Sequence, residues 1–157
     1  MRSLGPVEHF AAGAVGPAGA RAFFVEIATA DHREWFLLEK QQVAALAERI
    51  LELTRELGVA PQDPAHDLGE PIEPTFRIGE IGMGTDIEGL VVALRSTEDD
   101  DDPVGFTVPA EVADAAARRA LQIVESGRPA CRLCGRPEDP EGHTCPATNG
   151  DLRHDRS

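Results

Sequence analysis

A seven-residue pattern, Phe-x-x-Gly-x-(Val/Ile)-Gly, occurs twice in this chain, from Phe10 to Gly16 and again from Phe76 to Gly82, sixty-six positions later. The segments downstream of the two copies are also alike. After the first, Pro17-Ala18-Gly19 reads as a turn and Arg21–Ile27 as a strand rich in β-formers. After the second, Asp86-Ile87-Glu88-Gly89 reads as a turn and Leu90–Leu94 as a strand. Third strands are expected at Glu34–Leu38 and Val104–Val108. A helix closes each unit.

The first helix has the clearer signal. Val43, Leu46, Ile50, Leu53 and Leu57 recur at spacings of 3, 4, 3 and 4, which lines them along one face of an α-helix. Glu48, Arg49, Glu52, Arg55 and Glu56 fall on the wet side, and Gly58 is a stop signal. The second helix opens at Pro109, runs to Glu125 and carries Val112, Ala116, Ala120 and Ile123 as its apolar line. Its alanines predict close approach to a neighbour. The expected class is α+β: two β-β-β-α units, 5–58 and 75–127, each antiparallel, with a four-proline linker at 59–74. A three-stranded sheet under one helix buries little by itself. Merging the two into one antiparallel six-stranded sheet or half-barrel removes edges and gives both helices one core.

The chemistry visible in the sequence lies beyond that body, in the segment 128–150. All three cysteines fall within fifteen residues, as Cys131-x2-Cys134-Gly135 and Cys145, with His143 two places before the last. Cys-x2-Cys-Gly is the turn that lets two thiolates grip one ion, and Zn²⁺ takes four N or S donors in a tetrahedron. Cys131, Cys134, His143 and Cys145 supply that number. The His-x-Cys limb is tighter than usual metal-ligand spacing, and His154 is a possible substitute for His143. A disulfide would leave an odd thiol. A redox Cys-x-x-Cys opens a helix, which Pro129, Gly135 and Pro137 oppose. Four clustered donors leave no open position for catalysis. A structural zinc knuckle is therefore expected, holding a stretch too polar to fold by burial, with residues 151–157 as a disordered end.

The net charge is −13, and the segment from Arg128 onward is neutral, so the whole excess belongs to the body. Such a body repels a phosphate backbone. Only the arginines Arg128, Arg132 and Arg136 leave room for an anion contact. No apolar run reaches the ~18 residues of a membrane span, and a signal peptide's basic start and long apolar centre are missing. The expected setting is cytoplasmic, with no membrane and no nucleic acid.

Other conspicuous residues read as structure. The run Glu98–Asp102 lacks the ligand spacing and glycine of a calcium loop and is expected at a solvated hairpin tip. Gly79–Gly84 has no helix after it and reads as hairpin glycines, not a dinucleotide fingerprint. His9, His32 and His66 have no evident nucleophile. Ser3, Ser96 and Ser126 sit in no nucleophile elbow. Trp35 is expected in the core. Lys40-Gln41-Gln42 reads as a helix first turn, with a groove lining as the alternative.

Taken together, Phe10–Gly16, Leu38–Val43 with the helix after it, Gly127-Arg128-Pro129, the Cys131–Pro146 motif and Asn149-Gly150 resemble the DUF3090 proteins, an actinobacterial family also catalogued as a repeat family. The resemblance implies a soluble intracellular protein with those four donors as its metal set, and suggests a link to a ParA-type chromosome-segregation ATPase without assigning residues to it. Ala147 departs from the family, where a basic residue is usual, and the acidic segment and linker are shorter. The reading that results is a non-enzymatic, zinc-binding adaptor for a protein partner, with no catalytic or cofactor-binding residue assigned. Its alternatives are a ligand-binding protein or enzyme with a pocket between the units near Lys40, Gln41 and Gln42, and a nucleic-acid contact through the Arg-rich segment.

Overall fold

The structure is a computed structural model in which residues 1–17, 20–65 and 73–126 are described. The elements are β1 (Arg2–Pro6), β2 (His9–Val15), β3 (Ala22–Ala28), β4 (Arg33–Leu38), α1 (Lys40–Glu56), β5 (Phe76–Asp86), β6 (Gly89–Ser96), β7 (Val104–Val108) and α2 (Ala110–Ser126). From β2 onward the order is three strands and a helix, twice. The fold is α+β, with one mixed seven-stranded sheet in the order β1-β7-β6-β5-β4-β3-β2.

Two features correct the expected six-stranded antiparallel sheet. First, β4 and β5 are parallel, joined only at Phe36↔Phe76 and Leu37↔Arg77. The chain leaves β4, runs back along α1 and re-enters as β5, and a helical crossover of that kind sets neighbouring strands parallel. Phe36 and Phe76 meet edge to face at 4.9 Å and anchor this narrow joint. Second, β1 adds a seventh strand parallel to β7. Its Gly5 and Pro6 disguise it in the sequence; the ladder offered by the edge of β7 makes it a strand.

The sheet is strongly curled. Arg2 is registered with Val104, whose side chain is in the main core, so Arg2 projects to the helix side of the sheet. Glu34 alternates with the core residues Phe36 and Leu38 and projects the same way. Three strands separate β1 from β4, roughly 19 Å across a flat sheet at the usual strand spacing. Yet the two side chains meet at 2.6 Å. The helix side is therefore concave. The edges are also linked through the chain, because the Val7 N–H bonds to Thr107 O on β7 and the next N–H, Glu8, bonds to Ala28 O on β3.

Both helices fill the concavity. Val43, Leu46, Ala47, Ile50 and Leu53 of α1 join Val25, Ile27, Phe36, Leu38, Ile78, Leu90, Val92 and Phe106 in one buried cluster. Leu57, expected on the stripe, is 43% exposed, because the helix has already ended: Gly58, at φ 77, turns the chain while its N–H bonds to Arg55 O. In α2 the inward face is Ala113, Ala116, Ala117, Ala120 and Val124, with Val112 and Ile123 at its margin instead of on it. The small side chains let α2 pack directly on β2 and α1.

The glycines at 79–84 belong to the β5–β6 hairpin, as expected. They lie within β5, where a register shift at Gly79 is followed by continuous pairing with β6 down to Asp86↔Gly89. The turn comes after, where Asp86 Oδ1 accepts the N–H groups of Glu88 and Gly89.

Candidate functional site

The four expected zinc donors, Cys131, Cys134, His143 and Cys145, lie outside the described residues, as does the whole of 127–157. Among the described residues no group of three or more His, Cys, Asp or Glu side chains is arranged to hold a metal ion, and no helix is long and apolar enough to cross a membrane.

Three buried carboxylates within the described body are held by specific partners. Glu34 receives both Nη atoms of Arg2, at 2.6 and 3.2 Å, the His32 Nε2 at 2.8 Å and the Thr75 hydroxyl at 2.9 Å. Burial pushes its pKa up, but the hydrogen bonds from Arg2, His32 and Thr75 outweigh that, and the net displacement is downward. The same pairing raises the pKa of Arg2. Glu34 thus ties β1, β4 and the entry to β5 together at one end of the curled sheet.

Asp114, in the second turn of α2 and 1% exposed, does the same at the helix pair. Its Oδ2 accepts the Thr54 hydroxyl of α1 at 2.8 Å, and its Oδ1 accepts the Gln62 N–H at 2.9 Å and Arg118 Nε at 2.8 Å. Again burial raises the carboxyl, while Arg118, Gln62 and Thr54 pull it below its ordinary value. The third carboxylate, Glu26, is on the convex face, with His9 Nε2 at 2.9 Å and Arg33 Nε at 2.9 Å. His9 and His32 are thus strand-end histidines, each turned onto a buried carboxylate.

The acidic run occupies the β6–β7 connection. It is ordered by Ser96, whose hydroxyl donates to Asp101 at 2.7 Å and accepts the Glu98 N–H at 3.0 Å. Asp102 meets the N-terminal amine at 3.1 Å.

The open feature is a groove of about 530 Å³ between α1 and β5, lined by Gln42, Ala45, Leu46 and Arg49 on the helix and by Gly79, Glu80, Ile81 and Met83 on the strand. It exists because β5 outruns β4. The β4–β5 ladder stops at Arg77, whereas β5 continues to Asp86. Beyond the joint, the β4-facing edge of β5 is paired with no strand among the described residues. Gln42 marks where the edge opens: its Oε1 accepts the Glu39 N–H at 2.7 Å and its Nε2 donates to Ile78 O at 3.1 Å. Ile81 and Met83, two apart on one side of the strand, are partly buried against the core and form an apolar floor. Of the polar trio Lys40, Gln41 and Gln42, only Gln42 lines the groove; none of Arg2, Glu34 and Asp114, the groups with displaced ionisation, does. The sequence signal that points here is the length of β5, hidden by its glycines.

Among the described residues, a curled α+β sheet thus cradles two helices and leaves one edge of β5 without a strand partner beside α1. The chain belongs to the family described as "Protein of unknown function (DUF3090)", which it matches over residues 3–145. No curated protein and no solved structure matches the chain.

Proposed function

We propose that this protein is a non-enzymatic, zinc-carrying interaction module whose body captures an extended peptide of a protein partner on the free edge of β5. The observation that carries this reading is the edge itself. From Gly79 to Asp86, roughly 26 Å of strand at ~3.3 Å per residue, the β4-side edge of β5 has no ladder partner among the described residues, and its first part, from Gly79 to Met83, lines the groove. An added strand would pair with it, while α1 walls the far side; this is the β-augmentation mode of peptide recognition. Ile81 and Met83 offer an apolar floor for alternate side chains. Such edges are ordinarily blocked by Pro or Lys, and residues 78–86 contain neither. The net charge of −13 favours a protein partner over nucleic acid. Gln42 uses both ends of its amide to position β5, which weighs against a ligand-binding role for it in an enzyme pocket.

In the same reading Cys131, Cys134, His143 and Cys145 hold one structural Zn²⁺ in the segment 128–150, the protein works in the cytoplasm, and the two strand-strand-strand-helix units derive from one duplicated unit. The Phe10–Gly16 and Phe76–Gly82 pattern supports the duplication.

The test uses peptides selected from a random display library against the intact protein. Selected peptides should protect the 79–86 amides from hydrogen exchange. Ala45→Arg, which fills the groove from an exposed helix position, should weaken them by at least about tenfold, or ~1.4 kcal/mol. Peptides that bind Ala45→Arg as well as the parent, or protect some other strand, would refute the assignment.

A further inference from the structure

The charges along the open edge of β5 are unevenly placed. Beyond Met83, the last strand residue that lines the groove, the edge runs on to Asp86, roughly 10 Å at ~3.3 Å per residue, and ends at the β5–β6 turn. Asp86, Ile87 and Glu88 are all exposed there. Asp86 Oδ1 accepts the N–H groups of Glu88 and Gly89, which fixes the turn. Neither Asp86 nor Glu88 has a cationic partner among the described residues.

The arginines nearest the edge are already engaged. Arg49 on the helix wall meets Glu52 at 2.9 Å, Arg77 at the β4 joint meets Glu39 at 2.9 Å, and Arg95 on β6 meets Glu80 at 3.6 Å. Lys40, in the first turn of α1, stands at the other end, two residues from Gln42. The edge is therefore polarised: positive beside Gln42, apolar over Ile81 and Met83, and negative at the turn. Ile87 adds a second requirement, because its side chain is fully exposed between the two acids. An apolar side chain flanked by carboxylates matches one with an apolar stem and a cationic head, which is Lys or Arg.

We propose that the partner segment taken up by β5 is basic at one end: it carries Lys or Arg against the Asp86–Glu88 turn and apolar residues over Ile81 and Met83. This rests on the β5-edge reading above and adds the partner's chemistry to it. An acidic segment would set like charges against Asp86 and Glu88, which disfavours it. The net charge of −13 acts in the same sense at longer range and speeds the approach of a cationic segment, while the turn decides which end of that segment is basic. The direction of the added strand does not enter, because the basic end is defined by its place at the turn.

The test takes peptides selected from a random display library on the intact protein and keeps those that protect the 79–86 amides from hydrogen exchange. Their Lys and Arg residues should cluster at one end. Glu88→Lys, at an exposed turn position, should weaken them about three- to tenfold, the loss expected when an exposed attraction becomes a repulsion. Raising the salt from about 50 to about 500 mM should shrink that difference. A peptide whose end Lys is changed to Glu should regain affinity for Glu88→Lys, a rescue that a merely distorted turn does not give. Peptides that protect 79–86 and are lost on Ala45→Arg, yet are indifferent to Glu88→Lys and to salt, overturn this inference and leave the β5-edge reading standing. Peptides that protect another strand overturn that reading and this inference with it.

Discussion

Asp114 provides the sharpest test of what holds the helix pair together. It is a buried carboxylate with three donors converging on it: the Thr54 hydroxyl, the Gln62 N–H and Arg118 Nε. Hydrogen bonds to a charged group contribute about 1.5–3 kcal/mol each. Part of that is recovered in Asp114→Ala, because the Thr54 hydroxyl, released from Asp114, turns to donate to Leu51 O, 3.3 Å away, and Arg118, about a third exposed, turns to water. The expected loss for Asp114→Ala is about 3 kcal/mol by that count, or a fall in Tm of roughly 6–12 °C for a chain of this size. Asp114→Asn keeps one oxygen for Gln62 and Arg118, and its amide donates to Thr54; its loss should be about 1–1.5 kcal/mol.

The pH dependence separates charge from shape. The folded-state pKa of Asp114 is depressed, so its charge contributes stability fully above the unfolded carboxylate value of about 3.9, and that contribution disappears as pH falls through the lower folded-state value. The stability gap between parent and Asp114→Asn, measured by urea unfolding followed by circular dichroism, should therefore be constant from pH 7 to about 5 and shrink below about 4. A gap that does not change with pH, or an Asp114→Ala within about 0.5 kcal/mol of the parent, a shift typical of neutral surface changes, would refute the network as described.

Other perturbations test the remaining joints. Arg2→Ala leaves Glu34 buried without its main partner and should cost about 2–3 kcal/mol at pH 7; because the folded-state pKa of Glu34 is also depressed, the penalty should diminish on acidification through the carboxylate range, as a urea series at pH 7 and pH 4 would show. Phe76→Ala removes one ring of the pair at the β4–β5 joint and should cost about 3–5 kcal/mol in the same assay. Gly89→Ala should cost at least about 2 kcal/mol, since Gly89 sits at φ 139 and a Cβ there would lie 2.3 Å from Val108 O; near-parent stability would mean the turn is misplaced. Metal analysis of freshly reduced protein should find about one zinc per chain, and Cys134→Ser should abolish it while leaving the circular dichroism of the body in place.

Much of the fold was legible locally. The strands β3, β6 and β7 and the stripe of α1 announce themselves through β-formers or the 3.6-residue period, because each buries one face whatever lies on it. Sheet connectivity was half legible: the repeated pattern foretold two strand-strand-strand-helix runs, but neither the parallel joint nor β1, whose Gly5 and Pro6 carry no strand signal of their own. In α2 an unbroken supply of alanines gives no contrast between faces, so its inward side emerges only from packing on β2 and α1. Asp114 was invisible for a related reason. A carboxylate in a helix reads as solvated until Thr54, sixty positions away, and Gln62 are brought to it.

The amino-acid sequence by itself determined the α+β class, the helix stripe of α1, the strand segments and four soft donors of the type zinc takes, because these depend on residue chemistry at short spacing. Tertiary structure alone decided that β5 outruns β4 and so opens a groove beside α1, that the sheet curls until Arg2 reaches Glu34, and that Trp35 is buried on the convex side. Those outcomes depend on where one strand stops relative to its neighbour and on how far the sheet bends, quantities set by the sum of many contacts and written at no single position in the chain.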